Sequence, residues 1–251
     1  MEEEADRIPA IRAELERHGG DRRGRYGRFT LAALAGIPWI GGFLSAVSAL
    51  DSEKAQAGIN ALQQQWLEQH RRKIEELGQD LAEILARLES LGGVADERVQ
   101  EDSYLQLVQH GFRAWDRSAT REKRDLIKRL LTNAGATRLS SDDVVRLFIE
   151  WIDRYHEIHF AVIRAIYNNP GITRAGIWEE ISGAEVRDDS PEADLFKLMI
   201  RDLSAGSVLR QARETDHQGR FLRKPDRERR GPYLVSPFED SKPHVLTAPG
   251  R

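Results

Sequence analysis

The strongest metal-binding pattern in the sequence is EWIDRYHEIH, in which Glu150, Asp153, His156 and His159 follow one another at steps of three. Carboxylates and imidazoles ligate divalent metal ions, and carboxylate-x-x-His is half of a di-metal helix motif. Steps of three drift around a helix, however, so four such side chains cannot converge on one ion. We therefore interpret these residues as surface and helix-packing positions and predict that the chain holds no metal.

Other patterns that carry catalysis are missing from the sequence. It contains no cysteine, which excludes thiolate zinc sites, disulfide scaffolds and cysteine nucleophiles. It contains no phosphate-binding loop, dinucleotide glycine fingerprint, nucleophilic serine elbow or metalloprotease helix. Gln106-x-x-x-His110 offers a neutral amide where a metal-binding pair needs a carboxylate. We predict a protein that is not an enzyme, with no catalytic residues and no cofactor.

The composition indicates a hydrophilic protein outside one apolar stretch. Of its 251 residues, 31% are charged and 40% are hydrophobic, and the formal net charge is −3. A slightly acidic chain is not a general nucleic-acid binder, although local basic clusters can still bind nucleic acid. The N-terminus MEEEADRIPAIRAELERHGG is acidic and amphipathic, unlike a secretory signal peptide. We expect a cytoplasmic protein that attaches to the periphery of the inner membrane only in an activated state.

Residues 31–50, LAALAGIPWIGGFLSAVSAL, form the apolar segment, which contains no charge. About twenty apolar residues are enough to cross a bilayer as a helix. Pro38 and a Gly-Gly pair interrupt that helix, since proline lacks an N–H group and glycine weakens helices. We predict a hairpin of two helical arms, Thr30–Ile37 and Trp39–Leu50, which is mostly buried at rest and enters a membrane when released. The residues predicted to contact lipid are Leu31, Leu34, Ile37, Trp39, Ile40, Phe43, Leu44 and Val47.

Four arginines precede the apolar segment in the glycine-broken stretch GDRRGRYGR. One interpretation of this stretch is a solvated loop. The other is a basic collar that binds anionic lipid, where each basic residue near the surface contributes roughly 1 kcal/mol. The arginines of the collar are Arg22, Arg23, Arg25 and Arg28.

Hydrophobic periodicity predicts a mainly α protein in three parts. Residues 1–50 form an amphipathic helix and the apolar hairpin, residues 51–139 form a helical bundle, and residues 140–251 form a long helix followed by a winged helix-turn-helix domain. The bundle begins with a long helix whose apolar residues alternate at steps of three and four, which is the pattern of a coiled-coil seam. The seam can pack within the chain or pair two chains, and the pattern leaves both open. Its residues are Ile74, Leu77, Leu81, Ile84, Leu88 and Leu91.

The last hundred residues follow the element order of a winged helix. Helical patterns run over Ser140–Asn169, over Thr173–Ser182 and from a Ser190-Pro191 cap to Gly206. A strand, a long polar loop and a second strand follow. The ending HVLTAPG at residues 244–250 resembles the tyrosine-x-leucine-threonine-x-x-glycine closure of winged-helix repressors, with histidine in the aromatic place.

A DNA-reading helix needs donors aimed at base edges and cations near phosphates. The candidate helix carries Glu192, Asp194 and Asp202 beside its cations, so a protein partner suits this mixed surface better than a DNA duplex does. The residues predicted to contact a partner or a nucleic acid are Lys197, Arg201, Arg220, Arg223, Lys224, Arg229 and Arg230.

Two motifs, Gly36-Ile-Pro-Trp-Ile-Gly-Gly42 and Glu122-Lys-Arg through Asn133-Ala-Gly135, carry a wider resemblance. The chain resembles a family of uncharacterised bacterial proteins and, more loosely, the abortive-infection alpha proteins of phage resistance. The resemblance implies a role in cell suicide or phage defence and supplies no catalytic residue.

We therefore expect a non-enzymatic defence effector or adaptor. Its winged helix senses a protein partner, its seam helix self-associates, and its apolar segment reaches a membrane once released. The first alternative is a soluble winged-helix transcriptional regulator that binds DNA and is dimeric through its helical region. The second is a structural adaptor with neither activity.

Overall fold

A computed structural model describes residues 22–42, 61–183, 187, 189–212, 216–218, 220, 243–248 and 250. Over these residues the chain is mainly helical, as the hydrophobic periodicity predicts, and it has one small two-stranded sheet. The chain forms two compact units, Met1–Arg154 and Tyr155–Arg251.

Helix α4 is the centre of the first unit. The helices of this unit are α1 (Arg22–Ala35), α2 (Ala61–Leu91), α3 (Gly93–Arg98), α4 (Asp102–Arg117), α5 (Arg121–Ala136) and α6 (Asp142–Arg154). Helices α1, α5 and α6 all pack on α4, whose Tyr104, Phe112 and Trp115 side chains are almost fully enclosed. Burying side chains of this kind contributes roughly 1.5–3 kcal/mol each, so α4 organises the core of the unit.

Most of the α2 seam is buried inside the first unit, although Leu91 is 47% exposed and Ile74 is half-buried. Leu77, Leu81, Ile84 and Leu88 have almost no exposed surface, and α2 packs on α5. A coiled coil between two chains would need these same side chains, so α2 would first have to leave α5. Self-association through the seam stays a prediction.

Cations on α5 join this helix to α2. The Arg124 guanidinium donates to Glu76, and Lys128 Nζ lies 3.0 Å from an Asp80 oxygen and 2.6 Å from a Glu83 oxygen. Burial alone would lower the pKa of Lys128, but the hydrogen bonds to Glu83 and neighbouring carboxylates raise that pKa above the ordinary lysine value. This basic face of α5 is therefore an interhelical ion-pair surface.

Arg98 is a buried charge in the first unit, with 6% of its surface exposed. Its Nε lies 3.4 Å from the Ala134 carbonyl oxygen, and its two terminal nitrogens donate to Glu101 and Asp142. The guanidinium also lies 5.2 Å from the centre of the Tyr104 ring. Because a buried charge is costly without partners, this network fixes α3 to α5, to α6 and to the start of α4.

The second unit contains α7 (Glu157–Asn168), α8 (Arg174–Ser182), α9 (Pro191–Ala205), β1 (Leu209–Gln211) and β2 (His244–Leu246). The strands pair antiparallel, with Leu209 opposite Leu246. Apolar side chains from all three helices form the core of this unit. They are Val162 and Ile166 of α7, Ile177 of α8, and Ala193, Phe196, Met199, Ile200 and Leu203 of α9.

The prediction of one continuous helix over Ser140–Asn169 is wrong. Helices α6 and α7 are separate, with extended backbone at His156, whose N–H donates to His159 Nδ1 over 3.2 Å. Tyr155 is buried at the start of the second unit. Side-chain capping and the burial of Tyr155 thus override an apolar period that continues along the sequence. The chain divides after Arg154, because α6 packs on α4 and α5 in the first unit.

Residues after β2 fold back on the residues before β1. Thr247 Oγ1 lies 2.6 Å from the Ser207 carbonyl oxygen and 3.1 Å from that of Val208, and it accepts from Gly250 N over 3.2 Å. A Cβ atom at Gly250 would lie 2.1 Å from the Val208 oxygen, so this close approach requires glycine. The Thr-x-x-Gly motif therefore joins the residues after β2 to those before β1, at the end of the strand pair opposite the connecting loop.

Backbone hydrogen bonds also join residues 171–172 to β2. Gly171 N donates to the His244 carbonyl over 3.0 Å, and His244 N donates to the Ile172 carbonyl over 2.9 Å. These two bonds place the turn between α7 and α8, where Gly171 has a φ of +91°, beside β2.

Candidate functional site

The anchored segment, residues 22–42, contains α1 and the first half of the apolar segment. Helix α1 begins at Arg22 and runs through the arginine-rich stretch, so the loop interpretation of that stretch is wrong. Glycine lowers helix stability by about 1 kcal/mol, and packing of α1 on α4 outweighs this cost. The side chains of Arg22, Arg23 and Arg25 lie outside the described residues.

The helix break predicted at Gly36–Pro38 is present. Helix α1 ends at Ala35, and the amides of Gly36 and Ile37 donate to carbonyls three residues earlier over 3.0 and 3.1 Å. A Cβ atom at Gly36 would lie 2.5 Å from the backbone oxygen of Gln109 on α4, so glycine permits contact between the two backbones. The second predicted arm continues beyond residue 42, outside the described residues, and the hairpin stays a prediction.

One face of the anchored segment is buried. Tyr26, Phe29, Ala33 and Ile37 have almost no exposed surface, and the Phe29 ring lies 6.1 Å from that of Tyr104 between ring centres. These positions are three or four residues apart, which is the spacing of one helix face. The apolar segment is therefore held to the unit by hydrophobic contact over its first half.

Polar contacts surround that buried face, and they share one chemistry. In each, a donor on the anchored segment meets an aspartate on α3 or α4, and we call the three contacts the latches. They are Tyr26 Oη to Asp96 Oδ1 at 2.8 Å, Arg28 Nη2 to Asp102 Oδ1 at 2.5 Å, and Trp39 Nε1 to Asp116 Oδ1 at 2.7 Å. Sequence reasoning missed these aspartates, because an acidic residue on a helix shows no partner until the fold supplies one.

The latch at Trp39 is the most elaborate of the three. The His70 ring meets the Trp39 ring edge-on at 4.6 Å, and Lys73 Nζ lies 5.6 Å from the Trp39 ring centre. Lys73 Nζ also lies 2.5 Å from Asp116 Oδ1, so one carboxylate accepts from both the indole and the ammonium. A tryptophan in the middle of the apolar segment is thereby tied to α2 and α4.

The predicted lipid contacts differ in their exposure. Leu31 is 68% exposed, whereas Ile37 is buried against the unit. Leu34, Trp39 and Ile40 are half-buried. Phe43, Leu44 and Val47 lie outside the described residues. In the docked state, only part of the proposed lipid-binding surface is accessible.

The predicted partner-binding cations are partly described. Lys197 and Arg201 lie on the exposed side of α9, and Lys197 Nζ lies 3.0 Å from Asp194 on the same helix. Arg220 Nε lies 3.0 Å from Asp216, whose carboxylate also accepts from the amides of Arg220 and Gln218. The backbone hydrogen bond from Arg220 is the main reason that the pKa of Asp216 is lowered. Arg223, Lys224, Arg229 and Arg230 lie outside the described residues.

The residues of the EWIDRYHEIH pattern are divided between the two units. Asp153 accepts from Arg117 Nη2 over 2.6 Å in the first unit, whereas His159 Nε2 lies 4.0 Å from Asp202 in the second. Among the described residues, no group of three or more histidine, aspartate or glutamate side chains is arranged to hold a metal ion.

The chain matches no protein-family model, no curated protein and no solved structure. The resemblance to phage-resistance proteins therefore stays a prediction. Within the described ranges, no helix combines enough length with enough apolar character to cross a bilayer.

Proposed function

We propose that the protein is a non-enzymatic effector or adaptor of bacterial phage defence whose apolar segment is stored against the first unit and released to a membrane. The observation that carries this proposal is the set of three latches around one buried helix face. The defence role itself rests on the resemblance in the sequence.

The energetics of the anchored segment favour a conditional release. Its buried apolar side chains contribute roughly 1.5–3 kcal/mol each, and hydrogen bonds to charged groups contribute about 1.5–3 kcal/mol when they are shielded from solvent. The Arg28–Asp102 pair is largely exposed and contributes less than this. Undocking therefore costs several kcal/mol, which a bilayer can offset by taking up the same apolar side chains. Because undocking has this cost, the apolar segment needs a trigger to leave the first unit and does not insert constitutively.

Liposome flotation tests the proposal. We expect the wild-type chain to float weakly with vesicles that contain anionic lipid, and Asp116→Ala to float more strongly because it removes the acceptor shared by Trp39 and Lys73. Adding Ile40→Asp to that variant should abolish flotation, since a carboxylate in the apolar segment is costly in lipid. Leu139→Asp is the matched control, because Leu139 is 91% exposed in the loop between α5 and α6. Equal, negligible flotation of all four proteins would contradict the membrane role.

We propose further that the second unit is a winged helix-turn-helix that senses a protein partner. Three helices followed by an antiparallel strand pair, with residues 171–172 beside β2, support this interpretation. The Thr247–Gly250 closure supports it as well.

A DNA-binding regulator is the second candidate function. The helix order of the second unit favours it, while the carboxylates and exposed leucines of α9 weigh against it. Duplex binding that weakens steeply with salt, and that is lost in an Arg229→Ala/Arg230→Ala variant, would favour the regulator. Binding that is absent or independent of salt would exclude it.

A further inference from the structure

The outer side of α9 carries an apolar patch that remains partly exposed. Leu195 is 49% exposed and Leu198 is 42% exposed, although the opposite side of the same helix is almost fully buried. A single exposed leucine needs no explanation, but two at a spacing of three form a continuous surface.

Opposite charges lie on one flank of this patch. Asp194 and Arg201 are seven residues apart, which places them almost in line along the helix. Asp194 has a neighbour in Lys197, at 3.0 Å, but both side chains are largely exposed and such a pair is weak. Within the described part of the chain, the exposed Arg201 side chain makes no hydrogen bond or ion pair, so its charge is available.

We propose that α9 pairs with α9 of a second copy of this chain, antiparallel and about a two-fold axis near Leu198. A two-fold axis perpendicular to two antiparallel helices brings the same flank of each helix together. Asp194 of one copy then faces Arg201 of the other, and the symmetric contact repeats this pair. Leu195 and Leu198 of both copies pack between the two ion pairs. The α9 surface is thus complementary to itself in charge and in apolar character.

This arrangement selects a second copy over a nucleic acid. Glu192 and Asp194 would approach phosphates with like charge, and two leucines offer no donor to base edges. The third carboxylate near the patch, Asp202, lies 4.0 Å from His159 of its own unit. Self-pairing would also cover the helix that a winged helix uses to read DNA.

The pairing surface is small, and we therefore expect weak association. Specific stable interfaces bury about 1,200–2,000 Å² in total, more than one helix pair of this length provides. We expect a monomer–dimer equilibrium in which the dimer forms only at high protein concentration.

Sedimentation velocity of charge-swapped full-length chains tests the proposal. Asp194→Arg and Arg201→Asp each place like charges against each other twice, so we expect each variant alone to dimerise at least tenfold more weakly. The equimolar mixture of the two should form heterodimers, because arginine then faces aspartate at both contacts. The double variant Asp194→Arg/Arg201→Asp should dimerise as the wild type does. Arg129→Asp, which makes the same change of charge on the exposed side of α5, is the control and should leave dimerisation unchanged.

Recovery in the mixture distinguishes pairing from damage to α9, since two misfolded variants would not rescue each other. Circular dichroism of each variant checks that its helix content is retained. A wild-type chain that stays monomeric at several hundred micromolar would overturn the proposal. Association that Arg201→Asp leaves unchanged, or that mixing fails to restore, would also overturn it.

Discussion

Charged side chains hold helices together in the first unit, whereas in the second unit the cations of α9, Lys197 and Arg201, lie on its exposed side. Arg98, Arg124 and Lys128 each reach carboxylates on neighbouring helices. Arg201 of α9, by contrast, lies on an exposed face whose opposite side is apolar. A basic cluster in the sequence is therefore a poor guide to a binding surface. In the first unit these three cations pair with carboxylates of other helices, and in the second Arg201 remains available to a partner.

Among the substitutions that test this comparison, one at Arg98 is expected to cause the largest loss of stability. Arg98→Met removes a buried charge and leaves Glu101 and Asp142 without their common cation, so we expect a loss of about 3 kcal/mol in the first unit. Hydrogen exchange of α4 and α5 amides measures this loss without assuming that the two units unfold together. Arg138→Met is the matched control, because Arg138 also pairs with Glu101 but is largely exposed. Equal losses in the two variants would show that burial of Arg98 is not the cause.

Substitution of Gly36 is expected to cause the next largest loss of stability. Gly36→Ala places a Cβ atom 2.5 Å from the Gln109 carbonyl oxygen, and relieving that overlap should cost about 1–3 kcal/mol of docking free energy. We expect faster amide exchange in residues 29–42 and stronger liposome flotation. Gly27→Ala, in the same helix with open space around it, should instead stabilise α1 by roughly 1 kcal/mol. Unchanged exchange in Gly36→Ala would contradict the close approach of the two backbones.

A smaller effect concerns pH dependence at His110 of α4. Burial lowers the pKa of His110 below the ordinary value of 6.5, while Glu150 partly opposes this shift. Below pH 6.5 the unfolded chain binds a proton at His110 more readily than the folded chain does. The contribution of His110 to the free energy of unfolding is therefore complete above pH 6.5 and falls as the pH is lowered. Hydrogen exchange of α4 between pH 7.5 and 5.5, corrected for the intrinsic rate, should show that loss in the wild type and less of it in His110→Gln.

Glu150→Gln separates the His110 effect from a general response to acid. Without the Glu150 charge, the pKa of His110 should fall further. The Glu150→Gln variant should therefore lose more stability at low pH than the wild type does. In a His110→Gln background the same substitution should have no such effect. An equal response in both backgrounds would show that His110 is not the group involved.

The sequence was sufficient for features that depend on local chemistry. The stop at Gly36–Pro38 follows from the loss of an N–H donor, and the starts of α8 and α9 follow from Thr173 and Ser190, whose side chains accept from amides three residues on. Features that depend on packing between helices could not be predicted from the local sequence. The arginine-rich stretch is helical because α4 supports it, and the helix break at His156 requires the burial of Tyr155.

The latches show the same limit at the candidate site. Trp39 was predicted to contact lipid from its position in the apolar segment, but its acceptor Asp116 is seventy-seven positions further along the chain. Nothing in the local pattern around Asp116 distinguishes it from the many other acidic residues of the chain. Only the packing of α1 and α4 brings the donor and the acceptor together.

The smallest expected effect is at Arg201, and it sharpens the contrast with Arg98. In dilute solution Arg201→Asp should change the stability of the second unit by no more than about 0.5 kcal/mol, because the side chain is exposed and α9 is held by its apolar face. Hydrogen exchange of the α9 amides measures this in the same experiment that reports the loss at Arg98. A loss above about 1 kcal/mol would show that the second unit also uses this cation internally. Unchanged stability combined with weakened dimerisation would instead assign the charge to the surface that α9 presents to a second copy.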